Sequence, residues 1–587
     1  MLKIIVFVSL LIAHTFVSSE YIFKGYDENF HPEWWQTDII YQVYVRSFKD
    51  TNGDGVGDLN GVTEKVDYFK SINVGAIWLS PIYTSPQDDF GYDISNYKMI
   101  DPLFGTMADF DRLRDTFHKN GIKVIMDFVP NHTSDEHPWF NKSVQRIEPY
   151  TNYYVWKDAK YDKDGNPIPP NNWLSVFNKG SAWEWNEIRQ QYYYHAFQVK
   201  QPDLNYRNPM VVEEIKNTIL FWLGRGVDGF RFDAVNFLYE SEGLEDEPKS
   251  NYPGVYDTDY GSLIHTYTLD QPETYQMVYS WRQTVDEYSM YEKIPNFFMV
   301  ECYSPLNYTM LYYGNTTHPG AHFPFNFFLI SSFNRESDAQ HVFDVVKSWM
   351  LNMPEGKWAN WVLGNHDNSR VGSRTHPLLV DGLHMMQLLL PGTPITYYAD
   401  ELGVGDTYVR WNQTVDPAGV NVGPFRYTQF SRDPARSPFP WDDSRNAGFT
   451  NASKTWLPVN PEYWHENMVE LSKHKSHLRT YRQLSRLRQI PTIVKGDLHV
   501  YLLSKWVFGF SRSYYDHPTF FIVINFGSEL EVINIQAARP TLPDILKVKI
   551  SSVNSGYVTG NLLRSSQIIL RPKASIVLST SRMNEDA

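Results

Sequence analysis

Three carboxylates stand out because each closes or follows a short apolar run of the sequence: Asp233, Glu301 and Asp367. Carboxylates gathered in one cleft can act as a nucleophile, as a general acid or base, or as stabilisers of a developing positive charge. A buried charge is costly unless it is paired, so structural ion pairing explains one such group more readily than a series. We therefore expect these three residues to carry chemistry.

Further polar side chains lie at the ends of predicted strands: Asp127, Asn131, His132, Arg231 and His366. Alternate residues of a strand share a face, so Arg231 and Asp233 should point together into the interior. We expect the guanidinium to keep the Asp233 carboxylate ionised. Glu301 follows an apolar run, which should favour its protonated form and suit it as a proton donor.

Strand-like segments alternate with helix-like segments over most of the chain. The candidate strands are Ile39–Val45, Ala76–Pro81, Lys123–Val129, Gly229–Val235, Asn296–Glu301, His322–Phe327, Trp358–Leu363 and Pro394–Tyr398. Eight such units predict an α/β fold of the (β/α)8 TIM barrel type. The carboxyl ends of all strands meet at one face of such a barrel, which would bring the polar residues together.

One helix shows how the crossovers are encoded. Asn208 can cap its start, Pro209 suits the first turn, and the helix should end at Gly224. Val212, Ile215, Ile219 and Leu223 share one apolar face. We expect that stripe to pack on the barrel.

The remaining segments divide the chain into domains. Residues 20–130 and 204–490 should form the barrel, with a small irregular domain inserted at 131–203, after the third strand. A second excursion, at about 401–456, follows the eighth strand, and a helix is expected near Tyr463–Arg488. Strands then succeed one another without helices, which predicts a C-terminal antiparallel β domain at 491–587.

The start of the chain reads as a signal peptide at residues 1–19, and no later segment stays apolar for the length of a membrane span. We expect a secreted, extracellular protein without a membrane anchor. Acceptor triplets for N-glycosylation begin at Asn141, Asn307, Asn315, Asn412 and Asn451. The single cysteine, Cys302, excludes an intramolecular disulfide and is expected to be buried filler. The formal net charge of −14 disfavours a nucleic-acid partner.

A loop after the first strand carries oxygen ligands at alternate positions. Its candidate ligands are Asp50, Asn52, Asp54, Asp58 and the carbonyl of Val56. The pattern is similar to the start of an EF-hand loop, but Gly61 stands where the bidentate glutamate would be. A turn built by Asn, Asp and Gly is the alternative. We expect structural calcium here, and no organic cofactor.

Four segments in order resemble the sequence blocks of the α-amylase superfamily, glycoside hydrolase family 13. They are Asp127–His132, Gly229–Asp233, Val300–Glu301 and Leu363–Asp367. Gln201-Pro-Asp-Leu-Asn205 resembles the fifth block in its α-glucosidase and oligo-1,6-glucosidase branch. The resemblance spans nearly the whole mature chain and is closest to the secreted α-glucosidases, or maltases, of insects.

The resemblance implies a retaining glycosidase. Asp233 would be the nucleophile, Glu301 the general acid/base, and Asp367 the stabiliser of the distorted sugar. The residues expected to bind the sugar or support its site are Asp93, Tyr92, His132, Arg231, His366 and Arg436, with Arg432 a competing candidate for the last position.

The resemblance also bears on substrates. Ala234 after the nucleophile is similar to the α-1,4-preferring members, whereas valine there is typical of isomaltases. We expect an exo-acting maltase (EC 3.2.1.20) acting on oligosaccharides, including maltose and sucrose. The alternatives are a non-catalytic or dual-role receptor or transporter heavy chain, and α-amylase or oligo-1,6-glucosidase specificity. A sucrose isomerase is disfavoured because its Arg-Leu-Asp-Arg-Asp stretch is absent. The number of subunits is not predicted.

Overall fold

A computed structural model describes residues 20–580, so the predicted signal peptide at 1–19 lies outside the described residues. Eight parallel strands in this range form one sheet, which confirms the TIM-barrel prediction. In chain order, barrel strands one to eight are Ile39–Val43, Val74–Leu79, Lys123–Phe128, Gly229–Phe232, Phe297–Val300, Phe323–Pro324, Asn360–Val362 and Thr393–Tyr397.

The barrel is closed between its sixth and seventh strands by a side chain. Strand six pairs with five, and seven pairs with eight, but no backbone ladder joins six to seven. Asn360 spans this seam: its Oδ1 accepts the N–H of Asn326 at 2.8 Å, and its Nδ2 donates to the Pro324 carbonyl at 2.7 Å. One amide thus satisfies backbone groups that would otherwise be unpaired in the core.

Helices cover the outside of the barrel. The main ones are Leu59–Glu64, Val66–Ser71, Met107–Lys119, Pro209–Gly224, Pro272–Glu292, Ala339–Asn352, Val380–Leu389 and His477–Leu487. The helix Pro209–Gly224 has the predicted ends, and Asn208 caps it by accepting the N–H of Met210 at 3.0 Å. Val211 rather than Val212 joins its buried face. The expected helix at Tyr463–Arg488 is shorter, because Ser476 caps a helix that begins only at His477.

The segment predicted as an inserted domain, 131–203, leaves the barrel after strand three. It contains the helix Pro138–Val144 and a three-stranded antiparallel sheet of Trp156–Lys157, Gln191–Tyr194 and Trp183–Asn186. Buried aromatic rings form its small core, with Trp173 stacked on Trp183 at a centroid distance of 5.8 Å. The segment is thus built largely from aromatic side chains.

The C-terminal strands form the predicted antiparallel sheet. Its members are Glu20–Phe23, Asp497–Leu502, Val507–Ser513, Phe520–Asn525, Ser575–Ser579, Ile545–Ser551 and Leu562–Arg564. The first of them corrects a predicted boundary, because Glu20–Phe23 was assigned to the barrel but pairs antiparallel with Asp497–Leu502. A two-stranded sheet of Glu531–Ile533 and Ile568–Leu570 completes this part.

Between residues 20 and 580, no helix combines the length and the apolar character that crossing a bilayer requires.

Candidate active site

A cavity of about 340 Å³ opens at the carboxyl ends of the barrel strands. Asp233 and Glu301 each stand one residue beyond a strand, the fourth and the fifth, and Asp367 follows the seventh. All three line the cavity. The strand ends therefore bring the three predicted carboxylates to one space.

Arg231 holds the floor of this cavity together. Its Nη1 lies 2.6 Å from Asp233 and 2.7 Å from Asp127, and its Nη2 lies 2.7 Å from Glu301. The Arg231 side chain is only 1% exposed and stacks over the Trp78 ring, with 5.1 Å from guanidinium carbon to ring centroid. A single buried cation thus faces three carboxylates.

The pKa of Asp233 is raised well above its ordinary value. Burial is the largest cause, and the negative charges of Glu301 and Asp127 add to it, while Arg231 opposes them. Arg231 thus favours the ionised form of Asp233, as expected, but burial and the two neighbouring carboxylates outweigh its effect on the pKa. Because Asp233 and Glu301 come within hydrogen-bonding reach of each other, we interpret the raised pKa as one proton retained by the pair.

Ala234 connects the two carboxylates through the backbone. Its N–H donates to Oε2 of Glu301 at 3.1 Å, and its backbone lies in the left-handed region with φ of 48°. A small side chain tolerates this conformation better than a β-branched one. Ala234 also lines the cavity, directly beside Asp233.

Asp367 stands in a different environment. Burial disfavours its charge, but nearby positive charges, among them the guanidinium groups of Arg432 and Arg436, outweigh that effect and lower its pKa. Nη2 of Arg436 lies 3.1 Å and Nη1 of Arg432 3.2 Å from its Oδ1. Its side chain is 24% exposed. Asp367 is therefore an ionised carboxylate that a ligand can reach.

Tyr92, His132 and His366 line the cavity as predicted. Tyr92 stacks on His366 with 5.1 Å between ring centroids and 6° between ring planes. Burial lowers the pKa of His132 to about 3 and is also the largest cause of the lowered pKa of His366. Both imidazoles are therefore neutral near pH 7, so each can donate or accept a hydrogen bond.

The structure corrects the choice of Asp93. That side chain is fully buried and accepts hydrogen bonds from Ser85 Oγ at 2.9 Å and from the N–H groups of Asp88 and Asp89 at 2.8 and 3.0 Å. Asp89, not Asp93, lines the cavity. The chain reverses between them because Phe90 and Gly91 have positive φ.

Arg432 and Arg436, the two candidates for one sugar-binding position, make different contacts. Arg432 lines the cavity and binds Asp89 at 2.8 Å and Asp416 at 2.6 Å. Arg436 lies behind the wall, where its Nε donates to the His366 carbonyl at 2.7 Å. The competing candidate, Arg432, is thus the one that faces a ligand, and Arg436 supports Asp367.

Aromatic residues that sequence reasoning missed complete the wall. Phe177 and Phe197 come from the inserted segment, and Phe237, Tyr260 and Tyr303 follow strands four and five. Apart from the aromatic content of the inserted segment, no motif in the sequence marked them. Polar groups therefore lie at the base of the cavity and rings around its sides.

The predicted calcium loop is compact. Asp50 accepts the N–H groups of Gly53 and Gly55 at 2.7 and 2.8 Å, and Asp58 accepts those of Thr51 and Gly61 at 2.7 Å. Within residues 20–580, no cluster of three or more His, Cys, Asp or Glu side chains is arranged as a metal centre. A site here would thus depend on amide and carbonyl oxygens as well, as the predicted ligand set does.

The predicted N-glycosylation sites are exposed, unlike the buried residues of the candidate active site. The five acceptors Asn141, Asn307, Asn315, Asn412 and Asn451 are all exposed. Asn131, whose triplet also matches the acceptor pattern, is 1% exposed and donates to Asp203 at 2.9 Å. Cys302 is buried, which raises its thiol pKa and agrees with its reading as filler.

Comparison with known proteins identifies the family. Residues 42–496 match the α-amylase catalytic domain, so the chain belongs to the α-amylase family, glycoside hydrolase family 13.

Relatives and solved structures agree with this assignment. The chain is 44% identical to a salivary α-glucosidase of Anopheles gambiae over 93% of each chain, and 44% identical to Maltase A1 of Drosophila melanogaster over 93% of this chain and 96% of that one. It is also 40% identical to an amino acid transporter heavy chain of Mus musculus, over 94% of this chain and 78% of that one. A crystal structure of an α-glucosyl transfer enzyme superposes with a TM-score of 0.82 at 34% identity, covering 94% of this chain and 100% of that one.

Proposed function

We propose that the protein is a secreted, retaining α-glucosidase that removes terminal α-1,4-linked glucose from maltose, short malto-oligosaccharides and sucrose. One observation carries the proposal: Asp233 and Glu301 share the guanidinium of Arg231 at the floor of a small cavity. The similarity to insect α-glucosidases and a maltase supports the substrate class.

Catalysis would proceed in two steps. Asp233 attacks the anomeric carbon while Glu301 donates its proton to the leaving oxygen, so the glycosidic bond breaks and a glycosyl ester forms on Asp233. Water then attacks the same carbon, gives its proton to Glu301, and releases glucose with the original configuration. The pair needs one proton in total, which is what a raised pKa in this cluster provides.

The separation of the two carboxyl groups favours retention. Inverting enzymes keep their carboxyls about 6.5–9.5 Å apart to admit a water molecule, whereas retaining ones keep them about 5–5.5 Å apart. Asp233 and Glu301 bind neighbouring nitrogens of one guanidinium and come within hydrogen-bonding reach of each other. This arrangement leaves little room for a water between them.

The other side chains of the cavity would orient the sugar. Ionised Asp367 and the carboxyl oxygens of Asp89 can accept hydrogen bonds from its hydroxyls, and neutral His132 and His366 can donate or accept them. Tyr92 offers its ring to the apolar face of the sugar. Asp367 would also stabilise the positive charge that develops on the sugar ring in the transition state.

The aromatic wall supports exo action over the endo action of an α-amylase. Phe177, Phe197, Phe237 and Tyr260 all line the cavity that holds the carboxylates, and the rings of Phe197 and Phe237 are in contact, with 4.9 Å between their centroids. A polymer bound through its middle would need two open ends. The cavity instead suits the end of a short chain.

A purely non-catalytic role, as in a transporter heavy chain, is the main alternative. The similarity to such a heavy chain supports this alternative. Against it, all three carboxylates reach the cavity, and Asp367 is exposed enough for a ligand to touch. A protein that only bound a partner would have no need of this arrangement.

Secretion and calcium binding are part of the proposal. The exposed glycan acceptors fit passage through a secretory pathway, as do the similarities to salivary enzymes. At the loop, the carboxylates of Asp50 and Asp58 with the side chains of Asn52 and Asp54 supply the hard oxygen ligands that calcium prefers. The ion would stabilise the turn after strand one.

The test is hydrolysis of maltose, sucrose, isomaltose and starch by the wild type and by Asp233→Asn. Asp115→Asn is the matched control, since Asp115 is a surface aspartate with a side chain 68% exposed. We expect the Asp233 variant to lose at least about 10³-fold in kcat with its melting temperature maintained, and NMR to show the α-anomer of glucose first. Comparable sugar release by that variant, or the β-anomer first, would overturn the proposal.

A further inference from the structure

An ion pair joins two loops above the cavity. Asp259 lies in the loop after barrel strand four, and Arg426 lies in the loop after strand eight. Nη1 and Nη2 of Arg426 lie 3.2 and 2.6 Å from the two carboxylate oxygens of Asp259, so the contact is two-pronged. The side chains are 22% and 7% exposed, which shields the pair from water.

The strands that precede these two loops lie far apart in the barrel. The order of strands around the barrel is six, five, four, three, two, one, eight, seven. Strands four and eight are therefore four places apart in a ring of eight, on opposite sides of the barrel. A contact between their loops therefore has to reach across or around the mouth of the barrel.

The inserted segment is tied to both loops. The N–H of Tyr260 donates to Asn178 at 2.8 Å, and Nδ2 of Asn421 donates to the carbonyl of Phe177 at 3.1 Å. Loops after strands three, four and eight thus form a continuous arc over one side of the mouth. Two rings of this arc, Phe177 and Tyr260, line the cavity.

Aromatic contacts hold Arg426 in place. Its guanidinium carbon lies 4.4 Å from the ring centroid of Tyr256 and 5.1 Å from that of Phe430. Tyr256 belongs to the same loop as Asp259, so the arginine contacts that loop through both an ion pair and a ring. Such a fixed two-pronged pair holds geometry better than an isolated surface pair.

We propose that the Asp259–Arg426 bridge determines the length of substrate that the enzyme accepts. It keeps the arc closed, so Tyr260 and Phe177 stand where the additional sugar units of a long chain would have to pass. The inference rests on the proposed function and adds to it a limit on the length of the substrate. Breaking the bridge would let the loops separate without removing any residue that touches the cleavage point.

The experiment compares kcat/KM on maltose and on maltoheptaose for wild type, Asp259→Asn and Arg426→Gln. We expect maltose hydrolysis to be retained and the maltoheptaose-to-maltose ratio to rise about threefold or more in both variants. The charge-reversed double variant, Asp259→Arg with Arg426→Asp, should bring the ratio back toward wild type. Melting temperatures establish that each variant is folded.

Arg282→Gln is the matched control. Nε of Arg282 lies 2.7 and 2.8 Å from the two carboxylate oxygens of Asp286, within the helix Pro272–Glu292. The Arg282→Gln variant should leave the maltoheptaose-to-maltose ratio unchanged. An unchanged ratio in both bridge variants, or an equal loss on both sugars, would overturn the inference. Absence of maltose hydrolysis in the wild type would instead refute the proposed function, so the two failures are distinguishable.

Discussion

Asp127 binds Arg231 with 2.7 Å between Oδ1 and Nη1, and both side chains are shielded from water. The same nitrogen holds Asp233, so the two aspartates compete for one positive charge. Asp127 is thereby a cause of the raised pKa of Asp233.

Replacing Asp127 by asparagine should move the acid limb of the pH profile. Asp233 must be ionised to attack, so activity falls as the pH drops through its pKa. Because the charge of Asp127 raises that pKa, Asp127→Asn should lower it and shift the acid limb of kcat/KM to lower pH, by about one unit.

The measurement is kcat/KM on maltose at closely spaced pH values on both sides of neutrality. Asp115→Asn should leave the profile in place, as a control for an Asp-to-Asn change at the surface. A shift toward higher pH in the Asp127 variant would contradict the role that we assign to its charge.

Asp89 and Asp93 should respond differently to the same substitution. Asp89 lines the cavity, so Asp89→Asn should lower kcat/KM by about tenfold to a hundredfold, the value of a hydrogen bond to a charged group. Asp93 is buried against its own loop, so Asp93→Asn should reduce the melting temperature more than kcat/KM. Steady-state kinetics with thermal melting of both variants distinguishes them; a larger kinetic loss from Asp93 would contradict the assignment.

A β-branched residue at position 234 should be costly. Ala234 has φ of 48° and lines the cavity, so Ala234→Val should destabilise the fold by about 1–3 kcal/mol and reduce maltose hydrolysis. By the family resemblance, the ratio of isomaltose to maltose hydrolysis should rise. Ala234→Gly, which relieves the strain, is the control. Valine with unchanged stability and unchanged preference would refute this prediction.

The proposed calcium site predicts that removal of calcium destabilises the protein. A free calcium concentration of 100 times the Kd would raise the free energy of unfolding by about 2.7 kcal/mol. A chelator should therefore lower the melting temperature, and added calcium should restore it. Asp50→Asn should weaken this response, because Asp50 is the first of the predicted ligands in the loop. Calorimetric scans with and without chelator test whether calcium stabilises the protein, and equal melting temperatures would refute this prediction.

The barrel was predictable because its signals are local. Lys123–Phe128 was predicted to within one residue, and the helix Pro209–Gly224 is defined by a capping asparagine and a proline at its first position. The sixth strand was less well predicted: His322–Phe327 reads as a strand, but only Phe323–Pro324 pairs. Asn360 takes over the missing ladder, and no local pattern announces such a long-range contact.

The floor of the site was predictable, but its walls and its charge balance were not. The choice between Asp89 and Asp93 depends on a chain reversal at Phe90 and Gly91. The raised pKa of Asp233 depends on its burial and on Glu301 and Asp127 acting against Arg231, and Glu301 and Asp127 are both distant from Asp233 in sequence. Spacing along one strand reveals the nearest partner of a charge, not all of its partners.

The strand Glu20–Phe23 pairs with Asp497–Leu502, almost the whole length of the chain away. During synthesis, the strand Glu20–Phe23 therefore has no partner until nearly five hundred residues have emerged. A segment made early is therefore among the last that can pair, and this edge of the sheet can form only after the C-terminal strands have been made.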